Sequence, residues 1–248
     1  MIDFDELNDL VNEVFFSGKY AAAPVYLSLE EDEREQLASE LGVTADEVDS
    51  YVGYVVASTL EFDVANIYRD HQQQLLLWQR RSMNTAPPFS ALLLALTLAA
   101  EHMRKEGNYS ANNYYERLFE VLEVTEDHQK QRIRAAGKYT RQFWHALNLW
   151  LTEYDYALGR PTARQVNNWT YVSYAISQAL VRQGDRARFH SLFIEFGLSP
   201  NDKLSESEMM LYLHEWMVGS GPSRWLKRLW ESPDLRERVA SAALDELE

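Results

Sequence analysis

The longest apolar run in the chain, Phe89 to Ala100, constrains the fold more than any other stretch. Its apolar side chains point to all sides of a helix, the pattern of a segment buried all round. At 12 residues it is shorter than the roughly 20 that a bilayer span needs, and Arg104 and Lys105 follow it. The expected element is a central buried helix from Phe89 to Lys105, entered through Pro87-Pro88 and stopped by Gly107.

The segments that must surround it also repeat at helical spacing. Leu7, Leu10, Val11 and Val14 share one face of a helix from about Phe4 to Phe16, capped by Asp3 with Glu6 and stopped by Gly18. Ser28 with Glu31, Thr44 with Glu47 and Ser205 with Glu208 form three more capping boxes, opening helices toward Leu41, Leu60 and Val218. Val64 to Arg81 and a helix capped by Ser110 or Asn112 complete the first half. In the second, Lys138 to Tyr156 places Phe143, Trp144, Leu147, Trp150 and Leu151 on one stripe. Tyr171 to Arg182 follows, then a helix from Asp185 to Gly197, and two late helices, Ser223 to Trp230 and Pro233 to Leu247. Val25-Tyr26-Leu27 reads as a segment lying across the core or as a short strand. The fold class is all-α, with ten to twelve helices in a single domain over residues 1–248; a sub-boundary, if present, falls near 84–88 or 123–128.

Charge is distributed unevenly. From Gln129 to His190 the chain has ten Lys or Arg and three acids, while residues 1–63 have sixteen acids and two bases. The whole chain has a formal charge of −14, which argues against a generic nucleic-acid coat but allows a local anionic partner. The acids at Glu30 to Glu35 suit a helix start, and could also offer an acidic face to a basic partner. There is no cysteine, so disulfides, thiolate metal sites and Cys nucleophiles are excluded. A reducing cytoplasm fits that composition. The acidic start has no run of signal-peptide length, and no membrane association is expected.

No catalytic signature is present. The six histidines form no pair at metal-ligand spacing, and there is no H-E-x-x-H, phosphate loop or G-x-S-x-G elbow. No cofactor and no metal are expected. Arg141 with His145, and Arg186 with His190, miss the longer spacing used by helical HEPN-type ribonucleases, which leaves a metal-free helical nuclease as a remote alternative.

The sharpest binding signal lies in the basic stretch. Pro161 to Asn167 followed by Tyr171 to Arg182 has the cadence of a helix-turn-helix. On that reading Ser173, Ser177, Gln178 and Arg182 face a groove, Arg160, Arg164, Arg186 and Arg188 meet phosphates, and Lys138 and Arg141 belong to the same nucleic-acid-binding set. The competing reading puts Tyr171, Tyr174, Ile176 and Leu180 in the core and pairs the arginines with acids of the N-terminal helices. Of the seven tryptophans, Trp225 and Trp230 are the expected exposed anchors for a protein partner.

Several phrases occur together: Ala23-Pro24-Val25-Tyr26-Leu27 after Phe15-Phe16, Pro87-Pro88-Phe89 running into Leu98 to Met103, Asn113 to Leu118, and Tyr171 to Leu180. Over about residues 15–195 the ensemble resembles poorly characterised helical regions of bacterial proteins associated with anti-phage defence. The resemblance implies a recognition or assembly role beside a nuclease or ATPase subunit and assigns no functional residue. The expected function is a non-enzymatic subunit that binds protein partners in a larger complex and bridges it to DNA through residues 129–190. A purely protein–protein assembly domain is the alternative.

Overall fold

The computed structural model describes residues 2–58, 67–81, 83–106, 110–164 and 172–248. Its architecture is all-α, built of α1 (Phe4–Phe15), α2 (Glu31–Leu41), α3 (Val48–Ser58), α4 (Ile67–Arg80), α5 (Ser90–Glu106), α6 (Ala111–Val121) and α7 (Asp127–Ala136). There follow α8 (Thr140–Glu153), α9 (Val172–Ala179), α10 (Gln183–Arg186), α11 (Phe189–Phe196), α12 (Glu206–Trp216), α13 (Arg224–Glu231) and α14 (Pro233–Leu247). The packing divides into two units: one runs to Gln165 and takes in α9, and the other runs from Leu180 to Glu248. The division therefore falls in 165–180. It does not coincide with 84–88 or 123–128, where polar, Pro-rich and turn-rich segments read as breaks but both flanks pack into the same unit.

In the first unit α5 is the hub. Every residue from Phe89 to Ala100 is buried, and α1, α3, α6 and α9 pack around the helix. Its start is tied down by α1. The Asn8 and Asn12 side-chain amides donate to the Pro87 carbonyl at 2.8 and 3.1 Å, and the Ala91 N–H donates to Asn8 Oδ1 at 3.2 Å. Asn8 thus supplies an acceptor for one of the N–H groups that a helix start leaves open.

Asp3–Glu6, Thr44–Glu47 and Ser205–Glu208 form complete capping boxes, and Ser110 and Ser223 cap α6 and α13. Ser28 does not cap α2. The Leu29 N–H donates to Glu101 Oε1 at 2.9 Å, which keeps the chain extended until Glu30 becomes the N-cap. Gly18 does not stop α1, which ends at Phe15 with Phe16 as its C-cap. Gly42 and Gly197 end α2 and α11 in the left-handed conformation.

The segment around Pro24 does both things expected of it. Val25, Tyr26 and Leu27 are buried, and β1 (Pro24–Val25) pairs in parallel with β2 (Arg160–Pro161). Pro161 is therefore in an extended pair, not in the helical turn expected from it. Residues 162–164 are not helical either, and 165–167, the end of that turn, lie outside the described residues. In the second unit α14 is the hub, packed by α10, α11, α12 and α13. The helix expected from Asp185 to Gly197 is two helices, α10 and α11, with Ala187 and Arg188 in the turn between them.

Candidate functional site

Helix α8 uses its two faces differently. Phe143, Trp144, Leu147, Trp150 and Leu151 are buried as the amphipathic pattern requires. On the outward side, Gln142, Asn148 and Thr152 line a groove of about 430 Å³ with Gln79 of α4. Ala146 and Leu149 supply its apolar part, and His145 lies on the same wall. Leu149 is 48% exposed, and Leu76, one turn before Gln79, is 54% exposed.

Two amide atoms of this wall are buried and have no hydrogen-bond partner: Gln142 Nε2 and Asn148 Oδ1. The other end of Asn148 is fixed, since its Nδ2 donates to the Ala163 carbonyl at 2.7 Å. A buried polar group left in this way costs about 1–3 kcal/mol. The groove therefore combines mixed polarity, one exposed leucine and unmet hydrogen-bonding capacity. Among its described lining residues there is no acid.

The residues proposed from sequence for DNA are dispersed. Lys138 and Arg141 are exposed, Lys138 one helical turn ahead of Gln142 with its ammonium 5.2 Å from the Tyr139 ring centroid. Arg164 is exposed in the first unit. The Arg160 Nε donates to the Ala22 carbonyl at 2.8 Å. Arg182, Arg186 and Arg188 belong to the second unit. Arg182 is half-buried ahead of α10. Arg186 pairs with Glu246 at 3.1 Å and donates to the Val181 carbonyl at 2.7 Å. Arg188 donates to the Gly221 carbonyl at 3.2 Å.

Gln178 is 2% exposed; its Oε1 accepts from the Leu27 N–H at 3.0 Å and from the Thr162 hydroxyl at 3.3 Å. That corrects the groove-reading role, because the amide is a core connector between β1, β2 and α9. The engaged guanidiniums of Arg160, Arg186 and Arg188 likewise correct the picture of a row of unoccupied phosphate contacts. Backbone carbonyls hold all three, and Glu246 also pairs with Arg186. The tryptophan expectation is corrected too: Trp230 is buried, and Trp225 is half-buried with its indole N–H donating to the Leu180 carbonyl at 3.1 Å.

Two arrangements were not anticipated from sequence. One is the α8 groove, whose positions 142, 145, 149 and 152 read as an ordinary polar helix face until Gln79 is brought opposite. The other is a charge network. Arg34 Nη1 meets Asp49 Oδ1 at 2.5 Å, His102 Nε2 meets Asp49 Oδ2 at 2.9 Å, and Arg34 Nη2 lies 3.7 Å from Glu101 Oε2. Burial alone would raise the Asp49 pKa. Hydrogen bonds from His102 and Arg34, and then their charges, outweigh it and hold the carboxyl below its ordinary range. Its groups are directed at one another, so the network clamps α2, α3 and α5 together. No His, Asp and Glu cluster that could hold a metal ion occurs among the described residues, and no described helix is long and apolar enough to cross a membrane. No family model, curated protein or solved structure matches the chain.

Proposed function

We propose that the chain is a non-enzymatic helical module that binds a protein partner within a larger complex, using the α8 groove. The observation that carries this reading is the pair of unmet amide atoms in a groove wall that also displays Leu149. Native structures satisfy nearly all buried polar groups, and exceptions at a concave surface are what a partner can relieve. Gln142 can turn toward a docked segment by rotation about its own χ angles without breaking a hydrogen bond. The exposed Leu149, with Ala146, supplies apolar area, the usual centre of a protein interface. Bridging to DNA has less support, since several of its proposed contacts are engaged by the chain itself. A bacterial defence assembly and a cytoplasmic setting belong to the same proposal, resting on the sequence resemblance and on the absence of cysteine.

Site-specific photo-cross-linking in the expressing cell tests it, with benzoylphenylalanine in place of Leu149, of Arg141, or of the exposed Glu35 as a control. A discrete protein adduct from position 149 that is absent from position 35 is the expected result. Nucleic-acid adducts from positions 141 and 149, with no protein adduct, would replace this reading with the DNA one.

A further inference from the structure

A second cavity, of about 300 Å³, lies in the first unit and shares no residue with the α8 groove; it is lined by Val43, Glu47, Ser50, Tyr51, Tyr54 and Glu123. Glu47, Ser50, Tyr51 and Tyr54 stand at i, i+3, i+4 and i+7, so the start of α3 presents them on one face. Glu123, just beyond α6, is exposed and closes the set. Two phenol rings and two carboxylates around one concavity, with no Lys or Arg among the described lining residues, form an environment for positive charge. Ring faces attract a cation through their quadrupole, and carboxylates add charge and hydrogen-bond acceptors. We infer that this cavity binds an organic cation, an alkylammonium or guanidinium group.

The parts are suited to that task. Glu47 is held ionised by the Thr44 backbone N–H and hydroxyl, at 2.9 and 2.8 Å to its Oε2. That fixes one carboxylate and leaves its other oxygen for a ligand. The Tyr51 hydroxyl accepts from the Ile2 N–H at 3.3 Å, which anchors the first ring. Tyr54 is 42% exposed, open to a ligand. The surrounding sequence, residues 1–63, carries a large excess of acids, and their field raises the local concentration of cations. The same chemistry could come from a Lys or Arg side chain of a basic protein or from a free polyamine.

Fluorine NMR of the full chain labelled with 3-fluorotyrosine tests the assignment, with the Tyr51 and Tyr54 signals identified by single Phe replacements. The probes are N-acetyl-lysine methylamide, N-acetyl-arginine methylamide, spermidine and the neutral N-acetyl-norleucine methylamide. Saturable shifts at Tyr51 and Tyr54 with cationic probes and none with the norleucine probe are expected. Tyr54→Leu should weaken binding about fivefold, Tyr54→Phe should retain it, and Glu123→Gln should weaken it with the remaining tyrosine spectrum unchanged. Preference for the lysine or arginine probe identifies a protein side chain as the ligand; preference for spermidine identifies a free polyamine. Equal response to the norleucine probe, or no saturable shift with any cation, would overturn the inference. Neither result bears on the α8 groove, which the cross-linking decides separately.

Discussion

Asn8 and Asn12 show what single polar side chains do in this fold. Both are buried, and both amides converge on the Pro87 carbonyl. Asn8→Ala removes one donor from that carbonyl and leaves the Ala91 N–H without its acceptor, so a loss of about 1–3 kcal/mol is expected in urea unfolding. Asp49 predicts a pH effect. Its lowered carboxyl means that folding favours the ionised form, a contribution fully present above the ordinary Asp value and lost as pH falls through the lowered one. Unfolding midpoints of wild type and Asp49→Asn should differ near pH 6, begin to approach each other only below about pH 4, and converge once pH has fallen through the lowered value. Neither role was legible in sequence. Asn8 and Asn12 sit beside an apolar stripe that accounts for α1 on its own, and Asp49, Arg34 and His102 are distant in the chain. Only tertiary packing gives them one another.

Among the elements, local chemistry was read well and long-range chemistry was not. The α5 run, the α8 stripe and three of the four capping boxes are properties of adjacent residues. The Ser28 box failed because a bond from Leu29 to Glu101 overrides the local signal. The β1–β2 pair was out of reach because its partners are separated by more than a hundred residues, and Gly159 shows how closely they approach. At φ +118°, a Cβ there would lie 2.0 Å from Val25 Cγ2. Helices α3 and α6 meet as tightly: a Cβ on Gly53 would lie 1.7 Å from the Val121 carbonyl oxygen. Backbone cannot step aside as a side chain can. Gly53→Ala should therefore cost about 1–3 kcal/mol or more, seen as a lowered thermal midpoint, whereas Gly184→Ala, with nothing within 4 Å of its Cβ, should not suffer that clash.

For the molecule as a whole, the uneven charge was visible at once, but its meaning depended on where each cation ended up. The run from Gln129 to His190 is shared between two units, and Arg160, Arg186 and Arg188 are engaged locally. Composition could not separate those from Lys138 and Arg141, which are exposed near the start of α8. On the proposed function, the α8 groove keeps hydrogen-bonding capacity for a partner at the expense of the free chain. The most direct test is the thermal midpoint of Gln142→Met, which removes an unmet amide and keeps the side chain's length. A midpoint equal to wild type or raised by about 2 °C or more is expected. A fall of similar size would mean that the Gln142 amide supports the fold itself, and would contradict the claim that it is held for a partner.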